Sequence, residues 1–257
     1  MKPFAITMSG GSLGCLAYAS FLETLKNEYN VVPSLLAGLS GGAVIAPFIS
    51  AGFSTEEIFQ IIKNLLKMTM LAHHIGHFEL IDHHKAIEYF RKVLPIKQFE
   101  ALPIPVVIFS SNIVKQTTEV IDSGDIASAI VSSCSIYPAL KPIKRLGKLL
   151  IDGGYTTFYG AKFIRERGFS KVVGIDVTGI NEGNTPLFLR QFIRPLNTSV
   201  AQVKQYELQS YPVDLDIRLS LRAPIFYELE KKKDWILQGG VSAAHEYFPK
   251  IKKLLTN

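Results

Sequence analysis

The chain has 257 residues, of which 47% are hydrophobic and 19% charged, with a formal net charge of +6 and only two cysteines, Cys15 and Cys134. That composition excludes a disordered, collagenous or disulfide-stapled chain and fits a globular protein with a substantial core. The two cysteines stand in no metal-binding spacing and read as free thiols of a reducing, cytoplasmic compartment. No nucleic-acid motif accompanies the positive charge, so a nucleic-acid partner is not expected.

The N-terminal "PFAITM" (3–8) is an apolar run that stops at glycines and reads as a buried strand. Those glycines arrive before a signal-peptide core could form, so no leader is expected. A helix over 15–29 follows. Residues 29–55 then contain no charge at all, a length that raises the question of a membrane span. Pro33, Gly38, Gly41, Gly42, Pro47 and Gly52 divide it, so it reads instead as a strand over 34–39, a turn, and a helix over 41–52. Ser54 and Glu57 form a capping box that opens a long amphipathic helix over 54–75. Another helix is expected over 82–95. Strands follow at 104–114 and 117–122, a helix at 125–136, a strand at 148–154, a helix at 161–168 and a strand at 171–179. The last third reads as helical apart from an alternating strand at 213–221. Strands alternating with helices imply a three-layer α/β/α sandwich with a mainly parallel sheet and helices on both faces. No repeat or linker divides the chain, so one domain over 1–257 is expected.

Ser40 sits in "GLSGG", between Gly38 and Gly42, with an apolar strand before it and an apolar helix after it. Gly-x-Ser-x-Gly is the spacing that lets a strand and a helix pass close to a sharp turn and leave a serine hydroxyl standing above the sheet edge. Such a serine suits nucleophilic acyl transfer if a base and oxyanion donors lie nearby. "MSGGSLG" (8–14) also joins a strand to a helix, and its backbone N–H groups at Gly10, Gly11 and Ser12 are candidate donors. It fits no dinucleotide-binding pattern. Two acids, Asp152 before Gly153 and Gly154, and Asp176, read as strand ends and are candidate bases. His245 in the C-terminal helix is a further candidate. His73 and His77 have a metal-compatible spacing without a third ligand and read as solvated or capping histidines, with no metal site.

Three segments in this order, "AITMSGGSLGCLAYASFLETL", "LLAGLSGGAVIAPFISAGFSTEE" and "AIVSSCSIYPALKPIKRLGKLLIDGGYTT", resemble the patatin-like phospholipases over roughly residues 3–180. The resemblance implies a Ser–Asp dyad without a histidine. In it Ser40 would attack an acyl ester, Asp152 of Asp152-Gly153-Gly154 would be the base, and Gly10, Gly11 and Ser12 would form the oxyanion hole. It implies lipid acyl-ester substrates and no metal or cofactor. The chain departs from the family loop, where Ser12 replaces a third glycine and Gly14 replaces a basic residue. Two other readings stand beside this one: a Ser40–Asp152–His245 triad, and a lipid-binding module that keeps the fold without turnover. Lysine clusters at 231–233 and 250–253 suit peripheral contact with an anionic membrane surface. Residues 66–90, rich in methionine and histidine, read either as an ordinary packed helix pair or as a cap over the acyl site.

Overall fold

The computed structural model describes residues 3–73, 82–137, 140–180, 187–223 and 228–256. The elements run in the order β1 (Ala5–Met8), α1 (Leu16–Tyr29), β2 (Leu35–Gly38), α2 (Gly41–Ser50), α3 (Thr55–His73) and α4 (His83–Val93). They continue with β3 (Val106–Asn112), β4 (Thr117–Ile121), α5 (Ile126–Ser133), β5 (Ile143–Arg145), β6 (Lys148–Asp152) and α6 (Ala161–Glu166). The last are β7 (Val172–Ile180), α7 (Leu187–Ser210), β8 (Leu215–Ala223) and α8 (Leu229–Thr256). The uncharged stretch is the strand, turn and helix expected from its proline and glycine breakers. Among the described residues no helix is long and apolar enough to cross a membrane.

One sheet gathers all eight strands. The pairs β8–β7, β7–β1, β1–β2 and β2–β3 are parallel, and β3–β4, β3–β6 and β6–β5 are antiparallel. The register at β3 places the site. Ile108 pairs with Gly38 of β2 and with Ile121 of β4, while Ser110 pairs with Asp152 of β6 and with Glu119 of β4. A strand has two edges, so β4 takes one of them, and β2 and β6 share the other. β2 runs parallel to β3 and β6 runs antiparallel, so their C-terminal ends meet head to head along that edge. Gly38 and Asp152 pair with β3 residues two apart, a gap of roughly 7 Å at the usual rise per residue.

Alternating side chains along the strands fill both faces. Ile6, Met8, Leu36, Val106 and Ile108 pack with α1, α2, α5 and α8, with Phe59 of α3 and Phe90 of α4 in the same core. Ala5, Leu35, Ala37, Val107 and Phe109 face the other way, against Ile164 of α6. Also on that side, Phe158 and Tyr159 pack on Val200 and Val203 of α7. Two polar devices tie the last third of the chain to this frame. The buried Glu207 of α7 accepts from Thr157 Oγ1 (2.9 Å) and from the backbone N–H groups of Phe158 (2.7 Å), Tyr159 (3.2 Å) and Ala161 (3.0 Å). On the opposite face, Ser20 of α1 donates to Leu237 O of α8 at 2.9 Å. The helices approach there because Gly240 has no side chain: a Cβ would lie 2.2 Å from Ala17 O.

Candidate active site

Ser40 is the N-cap of α2 and has φ 50° and ψ −120°, a conformation that side chains other than glycine rarely adopt. The turn is forced by close packing. A Cβ on Gly38 would lie 2.5 Å from the backbone carbon of Gly42, and one on Gly42 would lie 2.4 Å from Met8 O. Neither position has room for a methyl group, so the glycine spacing is a steric requirement of β1, β2 and α2 lying together.

The end of α5 holds this turn from the other side. Ser40 N–H donates to Ser133 Oγ (2.9 Å), Ser133 Oγ donates to Phe109 O (2.6 Å), and the Cys134 thiol donates to Ser40 O (3.3 Å). Ser40 therefore has both backbone polar groups satisfied while its strained angles persist. The Cys15 side chain lies where a Cβ on Gly41 would clash, 2.7 Å from its position. Both cysteines are free, and burial pushes Cys15 up to about 12 and Cys134 well above the ordinary thiol range. They act as packing groups around the turn rather than as thiolates.

Asp152 arrives from the opposite direction at the end of β6 and is 1% exposed. Gly153 permits this approach, because a Cβ there would lie 2.4 Å from Phe109 O and 2.8 Å from Leu39 Cβ. Asp152 Oδ1 accepts from Gly154 N–H at 2.8 Å, and its backbone N–H donates to Ser135 O at 2.9 Å. Oδ2 is buried and closes no hydrogen bond among the described residues. Burial pushes this carboxyl up to about 6, against the opposing influence of the Gly154 N–H and of the nearby Ser40 hydroxyl. The hydroxyl is thus close enough to favour the carboxylate without completing a bond, a looseness common before substrate arrives.

The loop between β1 and α1 lies alongside. A Cβ on Gly10 would be 3.4 Å from Ser40 Cβ and 3.9 Å from Ser40 Oγ, so this loop faces the serine directly. Among the described residues no acceptor takes the N–H of Gly10 or Gly11. Ser12 has φ 47°, a left-handed conformation suited to the glycine it replaces. A relay beneath the loop fixes it. Val177 N–H donates to Tyr18 OH (3.0 Å), which donates to Ser9 Oγ (3.1 Å), which donates to Asp176 Oδ1 (2.8 Å); Lys204 Nζ donates to Asp176 Oδ2 (2.6 Å).

Asp176 is therefore not the end of a strand. It lies within β7, which continues to Ile180, and it is paired with Lys204. His245 is not brought to the pair either. It is half exposed on α8, where Nε2 meets Glu28 Oε2 at 2.8 Å and the ring packs edge-on against Tyr29. Those partners lie at the far end of α1, about 20 Å of helix from the glycine loop. His73 ends α3, whereas His77 lies within residues 74–81, outside the described residues. Sequence reasoning gave no role to Ser133, Cys134, Ser9 or Tyr18. A tyrosine inside an apolar helix was a usable signal, since its hydroxyl needs a partner when buried.

Fold and site together define a class of α/β proteins in which a serine on a strained strand–helix turn stands beside a buried carboxylate delivered by a second strand end. The sequence model of the patatin-like phospholipase family matches residues 6–162, and the chain belongs to that family. Relatives include the proteins named lysophospholipase NTE1 from Candida albicans and from Meyerozyma guilliermondii, each 20% identical over 188 residues. Each match covers 71% of this chain but only 13% of the relative. The crystal structure of VipD from Legionella pneumophila shares the fold, with a TM-score of 0.54 and 13% identity over 96% of this chain and 67% of VipD.

Proposed function

We propose that the protein hydrolyses fatty-acyl esters of lipids through a Ser40–Asp152 dyad and an acyl-enzyme. One observation carries the reading: Ser40 stands strained at the mouth of a turn beside Asp152, whose Oδ2 is buried and without a partner among the described residues and whose carboxyl is pushed up to about 6. An ordinary carboxylate is a weak base, and a raised one is matched to neutral pH. Oδ2 takes the Ser40 proton as Oγ bonds to the ester carbonyl carbon. The carbonyl oxygen becomes an oxyanion, for which the N–H groups of Gly10 and Gly11 and that of Ser12 are the proposed donors. Collapse breaks the bond to the leaving alcohol, which receives the proton from Asp152. Water then repeats the sequence on the acyl-enzyme and releases a fatty acid. The names of the two fungal relatives make single-chain phospholipids the first substrates to try.

Ser40→Ala and Asp152→Asn should each lower turnover of a chromogenic acyl ester by about 10⁴-fold or more, and the double variant little further, because the two groups act as a unit. His245→Ala should remain active. Full activity in Asp152→Asn would overturn the dyad, and a wild-type protein that binds lipid but turns over no ester would favour the lipid-binding module.

A further inference from the structure

Two hairpins rise side by side from the edge of the sheet at which Ser40 opens. β3 and β4 are joined through residues 113–116, and β5 and β6 through Leu146 and Gly147. β6 runs antiparallel to β3, so both turns point the same way, and Ile113 N–H donates to Leu149 O at 3.0 Å where they adjoin. Their tips are apolar in water. Leu146 is 83% exposed and Val114 72%, with Ile113 and Leu149 also exposed.

Leu146 carries a second peculiarity. It has φ 48° and is followed by Gly147 with φ 77°, the two positive angles of a tight hairpin turn that asparagine or glycine occupies without penalty. A leucine here is strained and buries almost nothing, so it contributes nothing to the fold that asparagine would not. Two exposed lysines lie on these hairpins, Lys115 in the β3–β4 turn and Lys144 in β5, and Lys148 follows the Leu146–Gly147 turn, while Arg145 reaches back to Ser123 O and Ser128 Oγ. Glu119, on the neighbouring β4, is paired with Lys148. Val114 lies four residues beyond Ser110, the partner of Asp152, which places the tips roughly 13 Å outward from the candidate site.

We propose that these two tips dock the protein on an anionic bilayer, with Leu146 and Val114 at the boundary of headgroups and acyl chains and the lysines against lipid phosphates. The proposal rests on the lipid-hydrolase reading for its purpose, since docking there turns the mouth of the Ser40 site toward the membrane. Two narrow tips do not offer the broad flat face that a stable protein partner needs. They suit insertion into a soft interface, where apolar side chains and anionic attraction add. The surface differs from the lysine clusters of α8, so the sequence-based expectation of membrane contact is relocated to the hairpins.

The test uses the full chain with Ser40→Ala, so that lipid stays intact, and phosphatidylcholine vesicles with or without phosphatidylglycerol. Sedimentation should show binding to the anionic vesicles that weakens with salt. The pair Leu146→Asp and Val114→Asp should lower it tenfold or more, and Lys115→Glu with Lys144→Glu should lower it by a similar factor. Leu146→Asn is the more discriminating variant. It should weaken vesicle binding while raising Tm by about 2–4 °C, because strain is relieved. Turnover of a water-soluble short-chain ester by the tip variants with Ser40 restored should be unchanged. Unaltered binding in the tip variants, loss of binding only on removing the α8 lysines, or a dimer dispersed by Leu146→Asp without vesicle binding would each overturn the proposal. Tip-dependent binding by a protein that hydrolyses nothing would retain the docking surface and remove the hydrolase reading instead.

Discussion

Two strand-to-helix turns stand next to each other at one edge of the sheet, and each contains a serine at positive φ: Ser12 at 47° and Ser40 at 50°. They are held by opposite means. The β2–α2 turn is fixed by missing side chains, because Gly38 and Gly42 lie against backbone with no space for a Cβ. The β1–α1 turn is looser sterically, with would-be Cβ contacts at Gly10 and Gly11 no shorter than 3.2 Å. It is fixed by the buried relay through Tyr18, Ser9 and Asp176. The sterics that lock one turn are written in its own glycine spacing, whereas the polar partners that lock the other, Tyr18 and Asp176, lie outside the glycine motif that marks it.

The largest contrast should come from adding one methyl group to each turn. Gly42→Ala must displace Met8 O and should destabilise the protein by about 3–5 kcal/mol in urea unfolding. Gly10→Ala should cost under about 1 kcal/mol, yet lower turnover, because its methyl group sits beside Ser40. Equal stability losses in the two variants would erase the distinction.

The acids beside the turns also differ, since Asp176 has Lys204, whereas among the described residues no cation is bonded to Asp152. Burial lifts Asp152 from 3.8 to about 6, so its contribution to stability is intact below pH 3.8 and is lost as pH rises through about 6. At 1.36 kcal/mol per pH unit the loss approaches about 3 kcal/mol. Asp152→Asn should therefore be inactive but more stable than wild type by up to that amount at pH 8, with no gain at pH 3.5. A gain independent of pH would show that ionisation is not the cause. Wild-type kcat/KM should correspondingly rise with pH through about 6.

Tyr18→Phe removes the acceptor of Val177 N–H inside the core and should cost about 1–3 kcal/mol. It should also reduce kcat more than it raises KM, if the relay sets the position of the Gly10 and Gly11 donors. The smallest effect is expected from Ser12→Gly, a gain of about 0.5–1 kcal/mol from relief of the left-handed backbone. A loss would mean that the Ser12 side chain has a role of its own.

Much of this was legible in the chain. The strands and helices up to β4 follow from apolar runs, breakers and caps, and the Ser54–Glu57 box indeed opens α3 with Glu57 Oε2 accepting from Ser54 N–H at 2.8 Å. The tight turns that carry Ser40 and Asp152 were legible because Gly38, Gly42 and Gly153 beside them are steric necessities. β5 was missed because three residues carry little periodicity and Leu146-Gly147 does not resemble a turn that tolerates two positive φ angles. Asp176 was misread because Gly174 and Gly179 look like a strand's end, whereas its burial depends on Lys204, distant in sequence.

The shared edge of β3 bears on how such a chain can change over time. The spacing of Ser40 and Asp152 is set by the ladder of one strand, through Ile108 and Ser110, and by residues 133–135, which bond to both. Connecting loops away from β3 and from residues 133–135 can lengthen, shorten or be exchanged while the two groups stay in place. A single residue inserted between Ile108 and Ser110 would instead widen the gap by about 3.3 Å and turn Asp152 to the opposite face of the sheet. The architecture is thus permissive in its loops and intolerant at one residue step of β3, so large remodelling is open to it at the connections and closed at that step.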